Sequence, residues 1–328
     1  MPAEVPVAAP PAPIAATEAL VVPPRRRRPG IRVHVTQFKW LYLLLLPGVI
    51  YFALFRYGPM YGAVIAFQDY VPFLGISGST WVGFDHFERF FGSPDFPRLL
   101  GNTLILALLS LLIAFPITIV VALLLNELRI SILKRSVQTL IYIPHFLSWT
   151  VVASLTYLLF AFDAGPLFHA VGGIFGTDID VLTDPAWFRP IIVLQDIWKN
   201  TGWGTIIFLA ALASVDQEQY EAAILDGAGR FQRVWHITLP SIMPTVVVML
   251  VLQMGQILNT GFEQIYLMTN SLNRQVADVF DTYVYFMGVT QGSYSYSTAV
   301  GLFKALVGVA LIFGANALAR RYNQTGIF

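Results

Sequence analysis

The chain has 328 residues, 56% of them hydrophobic and 12% charged, with a mean hydropathy of +0.66, more apolar than an ordinary water-soluble domain. Cysteine is absent, which excludes disulfides and thiolate metal sites. The formal net charge is only +1, so what charge tells lies in its distribution along the chain.

The first 24 residues are rich in Ala, Pro and Val and lack a basic start before an apolar core, so residues 1–36 read as a disordered cytoplasmic tail with a basic anchor rather than a cleaved signal peptide. The four arginines at 25–28, directly before a span, read as a topology anchor and not as a nucleic-acid-binding run. A spanning helix needs about 20 mostly apolar residues. Stretches 103–125, 137–162 and 237–262 meet that length without a charge. Stretches 190–215 and 297–319 also suffice but carry Asp196, Lys199 and Lys304. The first candidate, 40–55, is followed by an apolar stretch at 57–67 that Arg56 separates from it, which predicts a span and then a re-entrant or interfacial segment. The expectation is an all-α membrane protein of about six transmembrane helices: a first helix and extracytoplasmic segment over 37–99, a core over 100–318, and a cytoplasmic C-terminus over 319–328.

If the N-terminus is cytoplasmic and the spans alternate, thirteen of the twenty Lys and Arg residues fall on the cytoplasmic side and five outside. The positive-inside rule favours that orientation. The connection 214–240 is then cytoplasmic.

That connection carries the most specific pattern in the chain. Glu221, Ala222, Ala223, Asp226 and Gly227 are followed nine residues on by Ile237, Leu239 and Pro240. Ser214 or Asp216 can cap a short helix, with Tyr220, Ala223 and Ile224 on one face and Gly227 supplying the terminating turn. A second short helix is expected from about Arg230 to Pro240. The alanines admit another protein's backbone, and Glu221 offers a carboxylate to a cation. Two short helices of this kind make a docking knob, against the alternative of an interfacial connection lying on the membrane.

With these residues the sequence resembles the permease subunits of type I binding-protein-dependent ABC importers, in the carbohydrate-uptake branch. Met60-Tyr61-Gly62, Trp81-Val82-Gly83-Phe84 and Ile143-Pro144-His145-Phe146-Leu147-Ser148-Trp149 are similar to the polysaccharide and oligosaccharide subgroup, including alginate-importer permeases. The resemblance implies a second permease subunit, two ATPase subunits that bind ATP and magnesium, and an extracytoplasmic solute-binding protein. This chain would hold no cofactor or metal and perform no chemistry. In agreement, no P-loop, zinc-protease or nucleophile-elbow run occurs in the sequence.

Ionisable groups at membrane depth cost about 2.5–3.5 kcal/mol each on insertion scales, so they mark pathways or partners. Asp196, Lys199 and Asn200 share one helical face, and Gln253, Gln256 and Asn259 or Thr260 form a second stripe. These are the candidate substrate path, with Lys304 in the last span. Each group also has a plain alternative as an interhelical contact. Two intramembrane lysines against one aspartate lean toward a polar or anionic saccharide. An ion-coupled secondary transporter is the competing class, but only one acid lies at membrane depth and no internal repeat is evident.

Overall fold

The computed structural model describes residues 38–162, 164–175 and 180–321. The N-terminal tail with its basic anchor and His34, the acids Asp163 and Asp178, and residues 322–328 lie outside the described residues. The chain divides into two units at Met60. In the first, α1 (Lys39–Phe52) is apolar around its circumference, as a helix bathed in lipid must be, and passes through a π-helical turn (Ala53–Tyr57) into Gly58–Met60. Arg56 lies inside that turn and does not end the helix. The run Lys39–Phe67 is long and apolar enough to cross a membrane as one piece, which corrects the expected break after residue 55. A lone arginine forces no break, because its flexible stem can carry the charge toward the interface.

The second unit opens with a 3-10 helix (Tyr61–Phe67) that leads into a two-stranded antiparallel ribbon, which the all-helical expectation omits: β1 (Gln68–Asp69) pairs with β2 (Thr80–Trp81), Gln68 opposite Trp81. Then follow α2 (Asp85–Phe91), α3 (Asp95–Leu109), a π-turn (Ser110–Ala114) and α4 (Phe115–Glu127). Next come α5 (Ser131–Tyr142), α6 (Trp149–Phe160) and the 29-residue α7 (Pro185–Ala213). Further on come α8 (Gln217–Leu225), α9 (Arg230–Arg233), a π-turn (Val234–Thr238), α10 (Leu239–Gly255), α11 (Phe262–Met268), a single helical turn (Arg274–Ala277), α12 (Phe280–Tyr285), a π-turn (Phe286–Thr290) and α13 (Tyr294–Arg321).

Proline accompanies three of the widened turns among the described residues; the fourth, Phe286–Thr290, has none after it. The π-turns Ala53–Tyr57, Ser110–Ala114 and Val234–Thr238 each end two residues before a proline, respectively Pro59, Pro116 and Pro240. In each, the residue just before the proline donates to the carbonyl five back: Gly58 to Ala53, Phe115 to Ser110, Leu239 to Val234. Proline has no N–H, and its ring crowds the carbonyl four residues earlier. A widened turn relieves that conflict without ending the helix. Pro240 is therefore not the stop that its position suggests: helix runs on from Arg230 to Gly255, 26 residues that suffice to span.

Among the described residues four helices are long and apolar enough to cross, and five if the bent pair Ser131–Phe146 and Trp149–Phe160 counts as one span. The expected uninterrupted span over 137–162 is this pair, turned by 101° at its break. The remaining expected span, 190–215, falls on α7, whose Arg189, Asp196 and Lys199 make it more polar than the rest. One buried cluster sits between α4, α7 and α10, where Phe115, Ala122, Phe208, Leu212 and Ile242 pack together, and another gathers α7 with Leu106, Ile265 and Val279. Crossing is closest at Gly202 of α7, where a Cβ would overlap the carbonyl oxygen of Ile141 in α5. Gly202→Ala is expected to destabilise the purified protein by the overpacking penalty of about 1–3 kcal/mol, measured as a lowered thermal midpoint in detergent. An unchanged midpoint would show that the two helices can separate there.

Candidate functional site

Asp216 caps α8 by accepting the Glu218 N–H at 3.0 Å, the N-cap arrangement expected of an aspartate. At its other end Gly227 adopts φ +80°. Its N–H donates to Ile224 at 3.0 Å and that of Ala228 to Ala223 at 2.9 Å, the paired bonds that close a helix with a left-handed glycine. The Gly229 N–H then donates to the Gln232 side chain at 2.8 Å, starting α9. One side chain anchors α8 to the bundle: Tyr220 packs on the α4, α7 and α10 core and shares a hydrogen bond of 2.9 Å with Thr238 in the π-turn.

What remains faces out. Glu221, Ala222, Asp226 and Gly227 are exposed, Leu225 is 88% exposed and Phe231 79%, and the Phe231 and Trp235 rings stack at 6.3 Å. Ile224 is exposed rather than buried with Tyr220, because α8 rests on the bundle near its middle and its last turn projects beyond. Ala223, Ile237 and Leu239 are half-buried and Pro240 is exposed. The result is a small apolar knob with carboxylates on its flank.

A cavity of about 490 Å³ lies between α3, α7, α10 and α11, within the range of about 300–1,000 Å³ usual for small-molecule sites. Asp196, Asn200, Gln253, Gln256 and Asn259 all line it. The Asp196 carboxylate accepts from the Asn200 amide at 2.7 Å and from Ser110 at 3.5 Å. α10 stops at Gly255, so Gln256 caps the helix and Asn259 and Thr260 belong to the turn that leads to Gly261 at φ +81°. The expected second stripe is thus a helix end with amides gathered round it. Asn259 donates to Gln256. Gln264, buried at the cavity wall, donates to the Ile192 carbonyl at 2.8 Å and to Gln195 at 3.0 Å.

Residues 114–324 match the profile of the binding-protein-dependent transport system inner membrane components. The chain belongs to that family. This inner membrane component is 63% identical to protein LplB of Bacillus subtilis over 290 residues, 88% of this chain and 91% of the relative. It is 53% identical to the polygalacturonan/rhamnogalacturonan transport system permease protein YteP of Bacillus subtilis over 304 residues, 93% of this chain and 95% of the relative. A crystal structure of a bacterial alginate ABC transporter, in complex with an alginate pentasaccharide-bound periplasmic protein, contains a chain 39% identical that superposes with a TM-score of 0.83. That match covers 90% of this chain and 99% of the other. The expected type I importer permease fold is therefore the one observed.

Two residues of this inner membrane component lie elsewhere than the candidate path. Lys199 is buried and donates to the carbonyls of His145 and Leu147, both at 2.6 Å, with its ammonium 5.4 Å from the Trp149 ring centre. Those carbonyls belong to the break between the bent helices, where helical donors run out and a bilayer offers no water. Lys304 pairs with Asp281. Neither lines the cavity, so the lean toward an anionic ligand drawn from these lysines loses its ground. Of the aromatic residues that could stack on a sugar, Trp203 lies flat on His145 at 4.7 Å, and Tyr283 is buried in a separate cluster. Trp149 lines the cavity instead. Ser110, Trp149 and Gln264 were missed; Gln264 continues the polar spacing four residues beyond Thr260, and Ser110 is a hydroxyl alone in an apolar run.

Lys199→Met removes the donor from two part-buried carbonyls, where a fully buried unsatisfied group would cost about 1–3 kcal/mol. A clear drop in the thermal midpoint is expected; equal stability would mean that other donors serve the break.

Proposed function

We propose that this chain is one transmembrane half of an ATP-driven importer carrying an acidic oligosaccharide or polysaccharide across a bacterial inner membrane. One observation carries the reading: the same two helices join the knob to the cavity. α7 runs from Asp196 in the cavity wall to Ala213 beside the knob, and α10 runs from Pro240 at the knob to Gln253 in the wall. At 1.5 Å per residue these links are about 20–25 Å long. A push on the knob is delivered to the wall by rigid elements, the requirement for switching an alternating-access path.

The projecting Leu225 and Phe231, with Glu221 and Asp226 beside them, suit a cleft in an ATPase subunit, and Ala222, Ala223, Gly227, Ile237, Leu239 and Pro240 shape the knob that enters it. ATP and magnesium would be bound by two such ATPase subunits and not by this chain, which acts as a permease beside a second permease subunit. An extracytoplasmic solute-binding protein delivers the cargo. The Lys and Arg distribution supports a cytoplasmic knob and cytoplasmic termini.

The cavity suits a hydroxyl-rich ligand. Asp196, Asn200, Gln253, Gln256 and Asn259 present acceptors and donors, and Trp149 offers a ring face. Acidity of the cargo is supported by the relatives: polygalacturonan, in the name of one, and alginate, in the description of the other, are both polymers of uronic acids.

Glu221→Lys and Gly227→Pro are each expected to cut uptake by reconstituted complex about tenfold or more, equivalent to ~1.4 kcal/mol or more of lost docking, with helix content by circular dichroism unchanged. Full transport-coupled ATP hydrolysis in both variants would remove the docking role. Asp196→Asn combined with Gln253→Ala is expected to raise the half-saturating cargo concentration while leaving ATPase association intact; uptake identical to wild type would take the cavity off the path.

A further inference from the structure

The cavity on the path holds no arginine or lysine, and Asp196 is the ionisable residue among those lining it. A polyuronate would therefore bring its carboxylates past a wall that offers them amides but no cation. The cationic groups gather elsewhere. A second cavity of about 580 Å³ opens between α2, the start of α3, the segment Arg274–Ala277 and the start of α13. Arg89, Arg98 and Arg274 line it together with Asp95 and Asp278, so three positive charges face two negative ones.

The two aspartates are already committed. Asp95 accepts from Arg98 at 2.7 Å and from the Tyr283 hydroxyl at 3.1 Å. Asp278 pairs with Arg274 at 3.2 Å and more distantly with Arg98 at 3.5 Å. Burial pushes the Tyr283 hydroxyl well above its ordinary value, with Tyr296 and Asp95 acting the same way, so it stays a donor. Arg89 is different. It is exposed at the cavity edge, its guanidinium lies 4.8 Å over the ring of the buried Tyr296, and among the described residues it makes no ion pair. A guanidinium that meets a ring through its face keeps its N–H edge available to a further partner. That edge matches the two oxygens of a carboxylate.

The position of this cavity fits entry. Asp95 begins the span Asp95–Glu127, while Ala122 near its other end packs with the knob's cluster. The 27 residue steps from Asp95 to Ala122 correspond to about 40 Å of helix, the thickness of a bilayer. The arginine cavity and the knob thus lie toward opposite membrane faces, and the path cavity at Ser110 is about 20 Å deeper than Asp95 along the same helix.

We infer that the cavity formed by Arg89, Arg98 and Arg274 is a second saccharide site, which receives a uronate carboxylate of the incoming chain on the Arg89 edge before the sugar reaches the amide-lined cavity. The inference rests on the acidic cargo proposed above. Its acid-reading and hydroxyl-reading groups are then separated along the path, and Gln275 and Gln291 at the first site can hold neighbouring hydroxyls.

The test uses the full complex in lipid nanodiscs, without binding protein, titrated calorimetrically with trigalacturonate and with its methyl ester. Wild type is expected to prefer the acid by about tenfold or more, and Arg89→Gln to lose that preference with an unchanged thermal midpoint. Arg89→Lys, which keeps the charge but not the fork, is expected to retain part of it. Trigalacturonate uptake and binding by Arg89→Gln equal to wild type would overturn the site and leave the acidic cargo standing. Uptake of neutral oligosaccharides only, by wild type with its binding protein, would overturn the cargo and the site together. If Arg89→Gln instead weakened capture of the unloaded binding protein and left trigalacturonate binding unchanged, the arginine would belong to a protein interface and the saccharide site would be overturned.

Discussion

Inside a bilayer, a backbone carbonyl that loses its helical partner has no water to turn to, and much of this molecule is arranged around one place where that happens. The chain turns by 101° between Phe146 and Trp149, and the carbonyls released there are met by the ammonium of Lys199, brought in from α7. That contact fixes the height of α7 against the break. One residue on, Asn200 is hydrogen-bonded to His145 at 3.1 Å while its amide donates to Asp196. The residue that satisfies the break and the residues that wall the cavity are therefore set by one network, which places the wall to within the tolerance of a few hydrogen bonds. Gly202 allows the same two elements to meet at backbone distance.

Long apolar runs and their polar interruptions were legible from sequence, because a lipid-facing helix must be apolar for about 20 residues whatever its neighbours do. The knob was legible for a related reason: Asp216 and Gly227 act through local chain geometry. What was not legible depended on partners far along the chain. Residues 137–162 read as one apolar span, since apolar side chains on both halves conceal a break whose carbonyls are satisfied by a lysine more than fifty residues away. Pro240 reads as a helix stop, yet a π-turn ahead of it lets the helix continue. For the candidate path, spacing on α7 grouped Asp196 and Asn200, which line one cavity, but could not separate Lys199, whose long stem carries its charge to a different place.

The functional reading places three tasks on distinct parts of one frame. An exposed knob faces one side, an arginine cavity lies toward the other, and an amide-lined cavity sits between them, joined to the knob by α7 and α10. Such a division suits a transporter whose cargo is both acidic and hydroxyl-rich, because a cation left unpaired deep in the path whenever cargo is absent would carry a large desolvation cost. Both deep lysines are engaged by the protein itself, and the free guanidinium edge stays near water.

The central claim is that the knob engages an ATPase, and the absence of native cysteine makes it directly measurable. Leu225→Cys, at the most exposed point of the knob, introduces a single thiol into the whole chain. In membrane vesicles containing the assembled complex, a short thiol-to-amine cross-linker is expected to join this position to the ATPase subunit, with a yield that changes when ATP is added. Labelling of the same thiol by a membrane-impermeant reagent from the extracytoplasmic side, with no cross-link to the ATPase, would contradict the account.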